Sequence, residues 1–259
     1  MAMNRIDELF KNKDGNILSI YFTAGFPNLD DTVGIMEAIE EAGADIIEIG
    51  IPYSDPVADG PTIQDSNNVA LNNGMTLKLL FTQLEGLRSK LNIPVVLMGY
   101  LNPIVQYGMD AFCKKCQEVG VDGVIIPDLP MQQYTDSYKE LFDNYNLRNT
   151  FLISPQTSEK RIREIDNKTD GFIYMVSSAS ITGAKKEVTP EQIAYFERVR
   201  DMGLKNPRLI GFGISDKASF TTASTYSHGA IIGSAFINVV KEAKSLSEEI
   251  KTFIKGVIS

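Results

Sequence analysis

Two carboxylates sit where side chains could move protons. Glu48 interrupts an apolar run, Asp45-Ile46-Ile47-Glu48-Ile49-Gly50, near its C-terminal end. Asp59 follows in the segment Ile51-Pro52-Tyr53-Ser54-Asp55-Pro56-Val57-Ala58-Asp59-Gly60-Pro61-Thr62, which is dense in Pro, Gly and Asp. An ionised glutamate among packed side chains is costly without a partner. Glu48 therefore either reaches solvent or a lysine from the strand end, or is held in a cleft. In a cleft, partial burial would raise its pKa toward neutrality, where a carboxyl group can both give and take a proton. Pro56, Gly60 and Pro61 stiffen the backbone that presents Asp59.

A second group of residues suits an anion. Gly211-Phe212-Gly213-Ile214-Ser215 and Ile232-Gly233-Ser234-Ala235-Phe236 each follow a strand-like run. Glycine lets backbone N–H groups approach a ligand closely, and a short helix after Gly233 would direct its positive end at a phosphate. The plainer alternative is that these glycines only turn the chain. Residues 177–188, small and polar, read either as a surface connector or as a lid that closes over substrate. Residues 98–108 place Leu101, Ile104, Val105 and Tyr107 in an apparent loop, which requires a cover, either the protein's own helices or a partner.

The elements that must carry these residues alternate regularly. Short β-branched runs recur at 17–23, 45–50, 94–100, 123–128, 150–154, 171–177, 208–213 and 229–234, separated by helix-like stretches. Residues 30–41 read as a helix ending at Gly43, residues 110–119 as one ending at Gly120, and residues 190–202 as one opened by Pro190 and stopped by Gly203. Such alternation implies parallel βαβ units. Eight units, with no Gly-rich dinucleotide fingerprint after the first run, favour a closed (β/α)8 barrel over an open doubly wound sheet. In such a barrel the ends of the runs and the loops after them form the active face, with phosphate commonly bound after strands seven and eight. No linker or low-complexity segment divides residues 1–259, so the expectation is an α/β chain of one barrel domain.

Composition narrows the function. Among 259 residues, 43% are apolar and 22% charged, with a formal net charge of −8. No stripe of Lys or Arg offers the footprint needed for nucleic acid, whereas a small phosphate ester needs only local N–H groups. No apolar run is long enough to cross a membrane, and the first residues lack the blocks of a secretory signal. The expected location is the cytoplasm. Cys113-Lys114-Lys115-Cys116 is a CxxC, but it lies in an amphipathic helix with no second pair for zinc, so both cysteines read as helix residues. His228, the sole histidine, precedes the eighth run at the opposite face, which excludes a catalytic triad.

The stretch Ile47-Glu48-Ile49-Gly50-Ile51-Pro52-Tyr53-Ser54-Asp55-Pro56-Val57-Ala58-Asp59-Gly60 resembles the signature of tryptophan synthase alpha subunits over its whole length. The resemblance implies cleavage of indole-3-glycerol phosphate to indole and glyceraldehyde 3-phosphate. Glu48 would be the general acid/base, and Asp59 would bind the indole N–H and stabilise the charge that develops there. It further implies that Tyr21, Tyr174 and Phe212 lie near the ligand and that Met98 and Ile125 line the indole pocket. Gly183 would add a backbone contact to the phosphate held by Gly211, Gly213, Gly233 and Ser234. Thr182 would latch a lid onto Asp59; Ser178 stands where some relatives carry arginine. No cofactor is implied in this chain. The implied partner is a beta subunit carrying pyridoxal phosphate, in an alpha-beta-beta-alpha heterotetramer, met through Pro52, Asp55, Asn102 and Pro103.

Overall fold

The computed structural model describes residues 3–56, 59–177, 188–211 and 213–259. Eight strands close into a barrel in sequence order, β1-β2-β3-β4-β5-β6-β7-β8, every neighbouring pair parallel. They are β1 (Ile17–Thr23), β2 (Ile46–Gly50), β3 (Val95–Met98), β4 (Gly123–Ile125), β5 (Arg148–Ile153), β6 (Ile173–Val176), β7 (Arg208–Gly211) and β8 (Gly229–Ile232). The helices are α1 (Arg5–Asn12), α2 (Asp31–Ala42), α3 (Pro61–Asn72), α4 (Leu77–Gln83), α5 (Leu101–Tyr107), α6 (Met109–Val119), α7 (Met131–Gln133), α8 (Lys139–Asn144), α9 (Glu159–Lys168), α10 (Pro190–Asp201), α11 (Lys217–Tyr226), α12 (Ser234–Glu242) and α13 (Leu246–Ile258). The expected (β/α)8 barrel is the fold.

The strands are rich in Ile, Val, Leu and aromatic residues because both of their faces are covered; every residue of β1 and β2 is buried. Helix ends follow local chemistry. Gly43 and Gly120 cap α2 and α6 at φ 99° and 85°, the left-handed region that glycine enters without a Cβ penalty. Thr189 and Gln192 form a reciprocal capping box at the start of α10, with Pro190 in the first turn.

The N-terminal end of the barrel is plugged. Ile6 of α1 sits so close to Gly123 that a Cβ there would come within 2.8 Å of its Cδ1. Asn4 Nδ2 donates to the carbonyls of Asp122 and Asn146 at 2.8 and 2.7 Å, and Arg148 pairs with Asp7 at 2.6 Å. Asp122 is held by Arg5 and Arg88 at 2.9 and 2.5 Å. Buried charges of this kind need such partners. With this end sealed, the opposite end remains for a ligand.

Two expectations need correction. Several strands end sooner at the open end than the β-branched runs suggested: β3 stops at Met98 and β4 at Ile125. There the chain diverges into loops, while β5 begins earlier, at Arg148, whose N–H bonds to Asp122 O at 3.0 Å. Residues 98–108 are not a loop either, since most of them form α5. Pro103 sits in its first turn, where a missing N–H costs nothing. The N–H of Leu101 is satisfied from outside the helix by Asp128 Oδ1, at 2.8 Å. Part of the apolar stretch is covered by the chain itself: Ile104 is buried, and the Tyr107 ring lies 5.4 Å from Phe81. Val105 remains exposed.

Candidate active site

β2 delivers Glu48 to the barrel interior. In register with it stands Tyr21 of β1, while Ser19, one inward-facing position earlier on β1, is opposite Ile46. The Glu48 side chain is fully buried. Ser19 donates its hydroxyl hydrogen to Oε1 of Glu48 at 2.7 Å. Oε2 is buried too and has no hydrogen-bond partner among the described residues. Burial disfavours the charged form and pushes the carboxyl up to about 7, although the Ser19 hydrogen bond pulls the other way. A carboxyl group in this range exchanges its proton at neutral pH.

Asp59 arrives from the loop between β2 and α3. Its backbone is fixed from both sides: its N–H bonds to Pro56 O at 3.0 Å and its carbonyl accepts from Gln64 Nε2 at 2.8 Å. Its Oδ2 accepts from the phenol of Tyr100 at 3.3 Å, and the Tyr100 ring lies against Tyr53, centroids 5.1 Å apart. Burial lifts this carboxyl to about 6, with Tyr100 opposing.

Tyr21 and Tyr174 join the two carboxylates into one cleft. Both phenols are buried, and burial first, then the charges of Asp59 and Glu48, hold their pKa values far above the ordinary tyrosine value. Each ring crosses a glycine of a neighbouring strand. A Cβ on Gly50 would collide with the Tyr21 hydroxyl, and one on Gly211 with that of Tyr174. Gly211 thus has a reason to be glycine beyond any contact with phosphate. Met98, which is half-buried, and Ile125, which is fully buried, stand in register with Gly50 at the ends of β3 and β4.

The two glycine turns follow β7 and β8, and β8 is the neighbour of β1 on the side away from β2. Gly213 adopts φ 78° and is exposed. Gly233 precedes α12 and is half-buried against the Tyr21 ring, 3.4 Å from a Cβ built there; Ser234 opens the helix and is exposed. The first-turn N–H groups of α12 have no intrahelical acceptors, a setting for an anion. Phe212, Thr182, Gly183 and Ser178 lie outside the described residues. Of the rim residues expected to meet a partner, Asp55 and Asn102 are exposed and Pro103 half-exposed, whereas Pro52 is buried within the chain.

Sequence reasoning missed Ser19 and Tyr100, the groups that hold the two carboxylates. Ser19 shares the inward face of β1 with Tyr21 and Thr23, and nothing in the local sequence sets its hydroxyl apart from theirs. Cys113 and Cys116 are buried in α6, and burial pushes the Cys113 thiol up to about 12, so neither is poised as a thiolate. His228 accepts from the N–H of Arg208 at the sealed end. Among the described residues no group of three His, Cys, Asp or Glu side chains could hold a metal ion, and no helix is long and apolar enough to cross a membrane.

A (β/α)8 barrel whose open end carries a proton-exchanging carboxyl group, a second carboxylate and two glycine turns has the layout of a barrel enzyme for a small phosphate ester. Comparison with known proteins makes this particular. The family model described as tryptophan synthase alpha chain matches residues 8–256, and the chain belongs to that family. The tryptophan synthase alpha chain of Flavobacterium johnsoniae is 56% identical over 243 residues, covering 94% of this chain and 96% of that protein. The alpha chain of Phocaeicola vulgatus is 56% identical over 247 residues, covering 95% and 96%. Among solved structures, the tryptophan synthase alpha chain of Legionella pneumophila superposes with a TM-score of 0.89 at 33% identity, covering 99% of this chain and 97% of that one. Tryptophan synthase from M. tuberculosis in its aminoacrylate-bound form superposes with a TM-score of 0.86 at 26% identity, covering 98% of each chain. The family makes the chain a lyase of tryptophan biosynthesis.

Proposed function

We propose that this chain cleaves indole-3-glycerol phosphate to indole and glyceraldehyde 3-phosphate, with Glu48 and Asp59 as its catalytic residues. The supporting observation is Glu48 itself: fully buried, anchored through one oxygen, unpartnered at the other among the described residues, and pushed up to about 7 by burial. Cleavage begins when a proton is added to the ring carbon that bears the glycerol chain, which leaves positive charge on the ring N–H. Asp59, fixed through its backbone and Tyr100, stabilises that charge with an ionised carboxylate. The hydroxyl on the adjoining side-chain carbon then loses its proton to a carboxylate and becomes the aldehyde. The carbon–carbon bond breaks, and its electron pair returns to the ring and neutralises the nitrogen. One proton is added and one removed, and Glu48 is suited to both steps because its neutral and ionised forms coexist near pH 7.

Met98 and Ile125 form the apolar side of the indole pocket, with Tyr21 and Tyr174 beside the reacting carbons. Gly211, Gly213, Gly233 and Ser234, at the ends of β7 and β8, receive the phosphate, and Phe212, Thr182 and Gly183 complete the site. The chain needs no cofactor for this step. A beta subunit carrying pyridoxal phosphate takes up the indole, docking on the rim formed by Pro52, Asp55, Asn102 and Pro103. An alpha-beta-beta-alpha assembly in the cytoplasm accords with this reading. Exposed Val105 on α5 supplies apolar surface beside Asn102. The test is to incubate the purified chain with indole-3-glycerol phosphate, alone and with a beta subunit. Release of indole and glyceraldehyde 3-phosphate in equal amounts supports the reading, and absence of both under both conditions refutes it.

A further inference from the structure

The catalytic glutamate is not held by its own strand. Among the described residues its single anchor is Ser19, a buried serine in β1 that otherwise reads Ile17-Leu18-Ile20 around it. Alanine would fill that space at no cost in buried polarity, so the hydroxyl has to be compensated by what it bonds. Its partner is Oε1 of Glu48, at 2.7 Å, and the serine is the donor. Oε2 of the same carboxyl group is left without a partner among the described residues. The two oxygens are therefore inequivalent.

Resting on the proposed role of Glu48, we infer that Ser19 is a positioning residue of the acid–base centre: its hydroxyl holds Oε1 of Glu48, so that the exchangeable proton resides on Oε2, the oxygen left for substrate. An oxygen that already accepts a hydrogen bond is the poorer place for a proton, and the hydroxyl fixes the long side chain in one orientation. Donation to a carboxylate also favours its ionised form, which keeps Glu48 from being trapped as a neutral acid by burial. The other ionisable groups around Glu48 among the described residues are Tyr21 of β1, Tyr174 of β6 and Asp59 of the loop after β2. Both tyrosines stay neutral through the range in question. Asp59, pushed up to about 6, is the one that titrates near it.

The experiment follows the Glu48 carboxyl carbon by 13C NMR in glutamate-labelled protein, its signal identified by its loss in Glu48→Gln. Wild type, Ser19→Ala and Ser19→Thr are titrated, and the pH profile of indole release is recorded for each. Ser19→Ala is expected to raise the Glu48 midpoint by about one pH unit or more, given what a hydrogen bond to a charged group contributes. The matching limb of the kcat–pH profile should move with it, kcat should fall about ten-fold and KM should change little. Ser19→Thr, which keeps the hydroxyl, should restore both midpoint and kcat. An unchanged midpoint in Ser19→Ala, with Glu48→Gln inactive, overturns the positioning role and leaves the acid–base role of Glu48 standing. Turnover surviving in Glu48→Gln overturns the acid–base role, and with it any catalytic purpose for Ser19.

Discussion

Replacing Glu48 by glutamine should change stability less unfavourably at alkaline than at acid pH, because the wild-type site stores an unfavourable charge as pH rises. The carboxyl is raised from 4.5 to about 7 on folding. Between those values the native state holds a proton that the unfolded chain has released, so stability falls as pH rises. The contribution is fully present below 4.5 and is lost as pH passes through about 7. At about 1.36 kcal/mol per pKa unit, the loss between pH 5 and pH 8 is on the order of 2–3 kcal/mol. Glutamine has no such titration. Its carbonyl can still accept from Ser19, while its amide takes the place of the unpartnered Oε2 and costs about 1–3 kcal/mol at every pH. The substitution should therefore destabilise at pH 5 and be neutral or stabilising at pH 8. Urea denaturation of both proteins at the two pH values gives the difference directly. A mutational effect that is the same at pH 5 and pH 8, within about 0.5 kcal/mol, would refute the raised carboxyl and the stored charge behind it.

Asp59→Asn should lower kcat by about 100-fold or more, since an amide cannot neutralise a developing positive charge and one electrostatic group is commonly worth that much. Steady-state kinetics that show a raised KM with kcat intact would make Asp59 a binding residue only. Gly233→Val should weaken glycerol phosphate at least ten-fold in a calorimetric titration, because the branched side chain stands between the Tyr21 ring and the start of α12; undiminished affinity would put the phosphate elsewhere.

The barrel was legible because buried parallel strands must be apolar throughout, and eight such runs alternate with helices of the right length. Their open ends were not, since a β-branched run cannot tell where its hydrogen-bonding neighbour has turned away, as β4 does after Ile125. α5 was hidden for a related reason. Gly99 and Pro103 argue for a loop locally, but the cap that starts the helix comes from Asp128, distant in the chain. Glu48 and Asp59 were visible as chemically improbable residues in their surroundings. Ser19 and Tyr100 were not, because a serine in a strand or a tyrosine beside a loop acquires meaning only from the carboxylate it meets. Gly50 and Gly211 carry a steric requirement, room for the Tyr21 and Tyr174 phenols, that no local rule contains.

The proposed cleavage turns on the proton carried by Glu48. Single-turnover release of indole from indole-3-glycerol phosphate at pH 7, by wild type and Glu48→Gln at saturating substrate, tests it most directly. Loss of at least about 1,000-fold in the rate, in the upper part of the usual range for a general acid or base because Glu48 serves both proton transfers, with substrate affinity within a few-fold of wild type, is the predicted result. A folded mutant that releases indole at a rate near that of wild type would contradict it.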